Sequence, residues 1–171
     1  MALVKVVVAE AGEYVDDAAQ IWAEATAARD GDVDAAPLDV SRPIIEAVVN
    51  RSARSLLLIA LDVDGRTLGF AAAEPRSNAG GERRAELRYL GVRPDAWGVG
   101  VATQLLTALR LQLKTAGFAT AQLLAYTDNP RASALYRRLG WTPYGVPQPH
   151  PRSGRPEQPY TLNLEDELVG E

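Results

Sequence analysis

Apolar and polar positions along this chain switch between two periods, and the switches mark its elements. Residues 3 to 9 form an almost unbroken apolar, largely β-branched run, which reads as a buried strand. Tyr14, Ala18, Ile21, Trp22 and Ala25 then recur at helical spacing. The helix they predict stops near Asp30-Gly31, where glycine can take the left-handed terminal conformation. Ser41-Arg42-Pro43 predicts a second helix start, with Pro in the first turn and Ile44, Ile45, Val48 and Val49 as its apolar stripe. Ser55 to Leu61 and Thr67 to Glu74 read as strands, and Asp64-Gly65 in their short connection predicts a hairpin. After a loop over 75–83, Arg84 to Val92 predicts a third successive strand. Glu86, Arg88 and Tyr89 stand there among Leu87, Leu90 and Val92, so one face is either exposed or lines a cleft.

Helical spacing returns with Ala102, Leu105, Leu106, Leu109 and Leu113 and stops at Ala116-Gly117. Ala119 to Tyr126 predicts another strand. Thr127-Asp128-Asn129-Pro130 caps a helix lined by Ala132, Leu135, Tyr136 and Leu139 and ended by Gly140. Trp141 to Val146, a Pro-, Gly- and Arg-rich loop through Gln158, and a strand from Pro159 to Leu164 complete the chain. The order β-α-α-β-β-β-α-β-α-β-β implies a mixed α/β sheet with helices on both faces. No repeat or long linker divides the 171 residues, so one domain over 1–171 is expected.

Composition narrows the chemistry mainly by exclusion. The chain has no Cys and one His, which removes a thiol nucleophile and leaves a metal site to be built almost entirely from carboxylates; no metal is expected. The single histidine, His150, lies among prolines in Pro147-Gln148-Pro149-His150-Pro151 and reads as a surface residue rather than a triad member. A formal charge of -4, with the arginines scattered, argues against nucleic acid as a partner. The apolar run at the start is too short for a secretory signal or a membrane span, so a cytoplasmic protein without a membrane partner is expected.

The stretch Val92-Arg93-Pro94-Asp95-Ala96-Trp97-Gly98-Val99-Gly100-Val101-Ala102 carries the chemistry from strand to helix. Gly98 and Gly100 allow a tight turn that presents unpaired N–H groups at a helix start. With the helix dipole, such a turn can hold a phosphate or pyrophosphate without a cationic side chain.

Trp97-Gly98-Val99-Gly100-Val101-Ala102 resembles the acetyl-CoA signature of the GCN5-related N-acetyltransferase (GNAT) family. That signature has Gln or Arg, two residues, Gly, one residue, then Gly or Ala. A second signature of the family resembles Asn129 to Trp141, with Leu135-Tyr136 inside the helix and Leu139-Gly140-Trp141 at its close. The resemblance covers essentially the whole chain. It implies a mixed, mostly antiparallel twisted sheet of about seven strands and an acetyl-CoA-dependent N-acetyltransferase without a metal, acting on the primary amine of a small molecule. A protein lysine or N-terminal acetyltransferase, or a CoA-binding sensor module, are the alternatives. By resemblance, Trp97, Gly98, Val99, Gly100, Val101, Ala102 and Thr103 hold the pyrophosphate. Leu90, Gly91 and Val92 would pair through their backbones with pantetheine, Gly91 permitting close approach or a bulge, and Asn129 would reach the same arm. Tyr136 matches the residue that donates to the departing thiolate. Glu86 matches a catalytic base; a strand Glu paired with Arg88 or Arg84 is the other reading, and Glu74 or water could serve instead. Trp97 departs from Gln or Arg and is open to a second reading as a packing residue over the helix start. The acidic loop of Asp30, Asp32, Asp34 and Asp39, with Glu74 and Glu86, points to a cationic amine or simply to a solvated loop. By analogy a homodimer is possible.

Overall fold

The computed structural model describes residues 3–76 and 83–165. They gather into two compact units. One contains the chain up to Glu74 together with Leu87–Leu109; the other contains Pro75–Glu86 together with the chain from Arg110 onward.

The first unit holds β1 (Lys5–Val8), α1 (Val15–Asp30), α2 (Leu38–Val49), β2 (Leu56–Leu61), β3 (Thr67–Pro75), the later part of β4 (Arg84–Val92) and the earlier part of α3 (Val101–Thr115). β1 runs antiparallel to β2, from Lys5 opposite Leu61 to Val8 opposite Leu58, and β2 runs antiparallel to β3, from Leu56 opposite Ala73 to Ala60 opposite Gly69. The connection at 62–66 is the expected hairpin: Asp62 Oδ1 accepts from the N–H groups of Asp64 and Arg66, and Gly65 takes φ 82°.

One face of these strands packs Leu57, Ile59, Phe70 and Ala72 against Ala18 and Ile21 of α1 and Ile45 and Val48 of α2. On the other face, a Cβ at Gly69 would lie 2.8 Å from the Gly91 carbonyl oxygen, 3.1 Å from Leu105 and 3.2 Å from Val101. Helices therefore cover both faces of this unit. The small residues of β3, Gly69 and Ala71 to Ala73, let them approach closely.

Two helix starts differ from expectation. α1 begins at Val15, and Tyr14 precedes it as a cap residue in the left-handed region at φ 61°. α2 begins at Leu38 rather than near Ser41. Pro37 makes the break, and its carbonyl accepts from the N–H groups of Val40 and Ser41 at 3.0 and 3.1 Å. Pro43 therefore sits inside the helix, where its missing N–H leaves the exposed Asp39 carbonyl to solvent. Ser41 becomes fully buried, and its hydroxyl has no hydrogen-bond partner. Because such a hydroxyl costs roughly 1–3 kcal/mol, Ser41→Ala is expected to raise stability by about 1 kcal/mol and Tm by about 3 °C in a thermal melt. A lowered Tm would show that the hydroxyl contributes.

The second unit contains the start of β4, the end of α3, β5 (Thr120–Tyr126), α4 (Pro130–Arg138), β6 (Thr142–Pro143), β7 (Gln148–Pro149) and β8 (Pro156–Asn163). β4 pairs in parallel with β5, from Arg84 opposite Thr120 to Glu86 opposite Gln122. β8 runs antiparallel to β5 along its whole length and also pairs with β6 and β7. With one parallel pair in a mostly antiparallel arrangement, the described residues hold eight strands and four helices. The additional strand is β7, in the stretch read as a proline-broken loop, and β8 starts at Pro156 instead of Pro159. Pro149 and Pro156 face each other across this short pair, where prolines are tolerated because few ladder bonds are asked of them. Trp141 to Val146 contributes only the two residues of β6. Among the described residues, no helix is long and apolar enough to cross a membrane.

Candidate active site

Glu74 continues the facing of Phe70 and Ala72 on β3, and Arg88 reaches it, Nη1 donating to Oε1 at 2.7 Å. Tyr89 packs on the same layer, edge-on to Trp22 at 6.3 Å, and a Cβ at Gly91 would meet the Phe70 ring at 2.7 Å. Gly91 is glycine because the Phe70 ring lies where its Cβ would go. Gly91→Ala is expected to cost about 1–3 kcal/mol in denaturant unfolding as Phe70 is displaced. Glu74 is 5% exposed with Arg88 on one oxygen and Arg51 3.8 Å from the other. It anchors two guanidinium groups, which leaves it poorly placed to serve as the alternative base.

From Val92 the chain passes through a 3₁₀ turn over Pro94–Ala96 to Trp97, Gly98, Val99 and Gly100, and α3 follows. Gly98 and Gly100 take φ 81° and 90°, the left-handed region that favours glycine. The Gly100 carbonyl accepts the first helical bond, from Gln104 N–H at 3.1 Å. N–H groups ahead of Gln104 therefore lie outside the helical ladder, with the positive end of the helix dipole behind them. A Cβ at Gly100 would meet nothing within 4 Å, and Gly98 and Val99 are exposed. Ala102 and Thr103 are half-buried; Val101, 2% exposed, replaces Ala102 as the first core position of α3.

The approach to this turn is held by Arg93 and Asp95, to which the sequence pattern gave no role, and by Trp97. Arg93, its side chain 13% exposed, donates through Nε to the Thr67 carbonyl at 2.6 Å, through Nη2 to Thr67 Oγ1 at 3.1 Å and through Nη1 to Glu24 Oε2 at 2.9 Å. Asp95 pairs with Arg66 at 2.7 Å. Trp97, 39% exposed, donates its indole N–H to the Val92 carbonyl at 2.8 Å. It is thus more than a packing residue: like Gln or Arg, it supplies an N–H donor.

In the second unit, Asn129 caps α4, its Oδ1 accepting from the Ala132 N–H at 3.2 Å, with Pro130 in the first turn. Tyr136 is the buried residue of that helix, tilted against Tyr160 at 5.9 Å and edge-on to Trp141 at 6.2 Å. Burial, reinforced by Tyr160, pushes its phenol up to about 12, so it stays protonated. Glu86 is half-buried opposite Gln122, whose buried Oε1 lacks a hydrogen-bond donor. His150 plays a structural part, its Nδ1 accepting from the N–H groups of Arg152 and Ser153 in the turn between β7 and β8. Trp97 to Thr103 and Leu90 to Val92 thus lie in the first unit, and Glu86, Asn129 and Tyr136 in the second.

A family model described as the acetyltransferase (GNAT) family matches residues 18–141. The chain belongs to this family. Mycothiol acetyltransferase of Arthrobacter sp. (strain FB24) is 37% identical over 86 residues, 50% of this chain and 27% of that protein. The Streptomyces coelicolor protein of the same name is 37% identical over 78 residues, 46% of this chain and 24% of that protein. The chain thus matches about a quarter of the length of these curated relatives. Among solved structures, a putative acetyltransferase from Acinetobacter baylyi superposes with TM-score 0.79 at 19% identity, covering 100% of this chain and 98% of that one. An acetyltransferase from Salmonella typhimurium, solved with its cofactor acetyl-CoA, gives 0.72 at 20% identity over 98% of each chain. These two establish a shared GNAT fold.

Proposed function

We propose that the protein is an acetyl-CoA-dependent N-acetyltransferase that acetylates the primary amine of a small molecule. The observation that carries this reading is the glycine turn at the start of α3: two left-handed glycines, exposed Gly98 and Val99, and helix-start N–H groups. The residues present fit a pyrophosphate. Backbone groups over Gly98–Thr103 hold it, the Trp97 N–H being used on the Pro94 carbonyl, and those of Leu90, Gly91 and Val92 pair with the pantetheine arm. Asn129 keeps its amide nitrogen for that arm, since the cap uses only Oδ1. The small-molecule acceptor is supported by relatives named for mycothiol, a likeness over half of this chain.

The acceptor sets a proton demand. An alkyl amine with a pKa of about 10 is mostly protonated near neutral pH, and freeing its lone pair costs on the order of 4 kcal/mol. Glu86 takes that proton, the amine attacks the thioester carbonyl, and Tyr136 hydrogen-bonds the departing sulfur. The Gln122 amide oxygen, on the residue opposite Glu86, can accept a hydrogen bond from the Glu86 carboxyl once that is protonated. No covalent intermediate on the protein is needed.

Calorimetric titration tests the binding half of this reading. Acetyl-CoA and CoA are both expected to bind at micromolar concentrations, with affinity falling tenfold or more on Gly98→Val, whose side chain strains the left-handed turn. No heat with either ligand would overturn it.

A further inference from the structure

Gly98 and Val99 are exposed and a Cβ at Gly100 would meet nothing within 4 Å, so the segments at the two ends of the turn hold its conformation. Downstream, α3 is fixed by buried Val101, Leu105 and Leu109. Upstream, Arg93 is fastened by three side-chain bonds and by its own N–H to the Leu68 carbonyl at 2.8 Å. Between Arg93 and the turn, the Ala96 N–H bonds to the Arg93 carbonyl at 2.9 Å and the Trp97 N–H to the Pro94 carbonyl at 3.3 Å. The bond that closes the whole segment is the indole N–H of Trp97 on the Val92 carbonyl, five residues back. Trp97 is the last residue before the first left-handed glycine, so its side chain fixes the direction in which the turn leaves. Its ring is 39% exposed, which is poor use of a large aromatic if burial were its purpose. The donor explains the position better than the ring does.

We propose that Trp97 is a positioning residue for the anion-binding turn, acting through its indole N–H on the Val92 carbonyl rather than by touching the ligand. The bond locks the strand exit and so pre-aims the N–H groups over Gly98–Thr103. This rests on the reading of the turn as an acetyl-CoA site, and the test separates the two. Trp97→Phe keeps an aromatic ring and removes the donor; Trp97→Gln removes the ring and keeps a donor. Backbone order parameters of Gly98 and Gly100, measured by NMR relaxation without ligand, are expected near 0.85 in wild type and Trp97→Gln and below about 0.6 in Trp97→Phe. Acetyl-CoA affinity is expected to fall about tenfold in Trp97→Phe and to stay within about threefold in Trp97→Gln. Unchanged order and affinity in Trp97→Phe would overturn the proposal, as would a folded Trp97→Gln protein that behaves like Trp97→Phe. If wild type fails to bind acetyl-CoA, the functional reading falls, and the order parameters alone still decide the role of Trp97.

Discussion

Tyr136→Phe is expected to lower kcat about a hundredfold while leaving acetyl-CoA affinity within roughly twofold, the signature of a group used only as the thiolate departs. The physical reason lies in its surroundings. Buried against Tyr160 and Trp141, the phenol is raised to about 12 and holds its proton throughout any working range. A thiol titrates near 8.5, so complete transfer from such a phenol to the thiolate is uphill by about 5 kcal/mol. What Tyr136 can supply is a strong hydrogen bond to sulfur as negative charge gathers there, with solvent completing the protonation. The wild-type to mutant ratio in kcat is therefore expected to stay constant between pH 6 and 10, measured by steady-state assay. A loss confined to acetyl-CoA affinity would remove Tyr136 from this role. Stability carries the same signature. The folded state keeps a proton that the unfolded chain releases above about pH 10, so this contribution is complete below that pH and is lost as pH rises towards 12. Its size is about 3 kcal/mol, and the Phe variant should lack it.

Arg93→Met is expected to destabilise the protein by about 3 kcal/mol, lowering Tm by roughly 6–12 °C. Met preserves the apolar stem but deletes the guanidinium fork, leaving the Thr67 carbonyl and hydroxyl and one oxygen of Glu24 without their partner. Thr67 is 7% exposed, so water cannot readily replace what is lost. Urea unfolding should show the shift as a lower midpoint with an unchanged slope. A loss under about 1 kcal/mol would mean that the strand exit is held by its backbone bonds alone. Because Arg93 ties α1 and β3 to the residue that follows β4, the variant should also weaken acetyl-CoA binding.

Features of different legibility underlie these two effects. Gly98, Gly100, Asn129-Pro130 and Tyr136 can be found in the sequence because each acts locally: a positive φ, a cap and a helix position are set by a few neighbouring residues. The Asp64-Gly65 hairpin and the stop at Gly31 are legible for the same reason. Arg93 is not, because its partners Glu24 and Thr67 lie 69 and 26 residues away, and no local period records such a pairing. Glu74 reads as a spare carboxylate until the fold brings Arg88 and Arg51 onto it. The start of α2 is misplaced by sequence pattern because two prolines compete as punctuation, and Pro37 breaks the chain more effectively than Pro43 begins a helix. β7 escapes because prolines read as breakers even where an edge pair can accommodate them.

Transfer of acetyl from CoA to an amine is the central claim, and thiol release measures it directly. Purified protein with acetyl-CoA and a panel of primary amines is followed for free CoA thiol, with mass spectrometry of the amines. Thiol release is expected to depend on at least one amine of the panel and to be matched one for one by its N-acetylated product. Saturable acetyl-CoA binding with no amine-dependent release across the panel would contradict the claim.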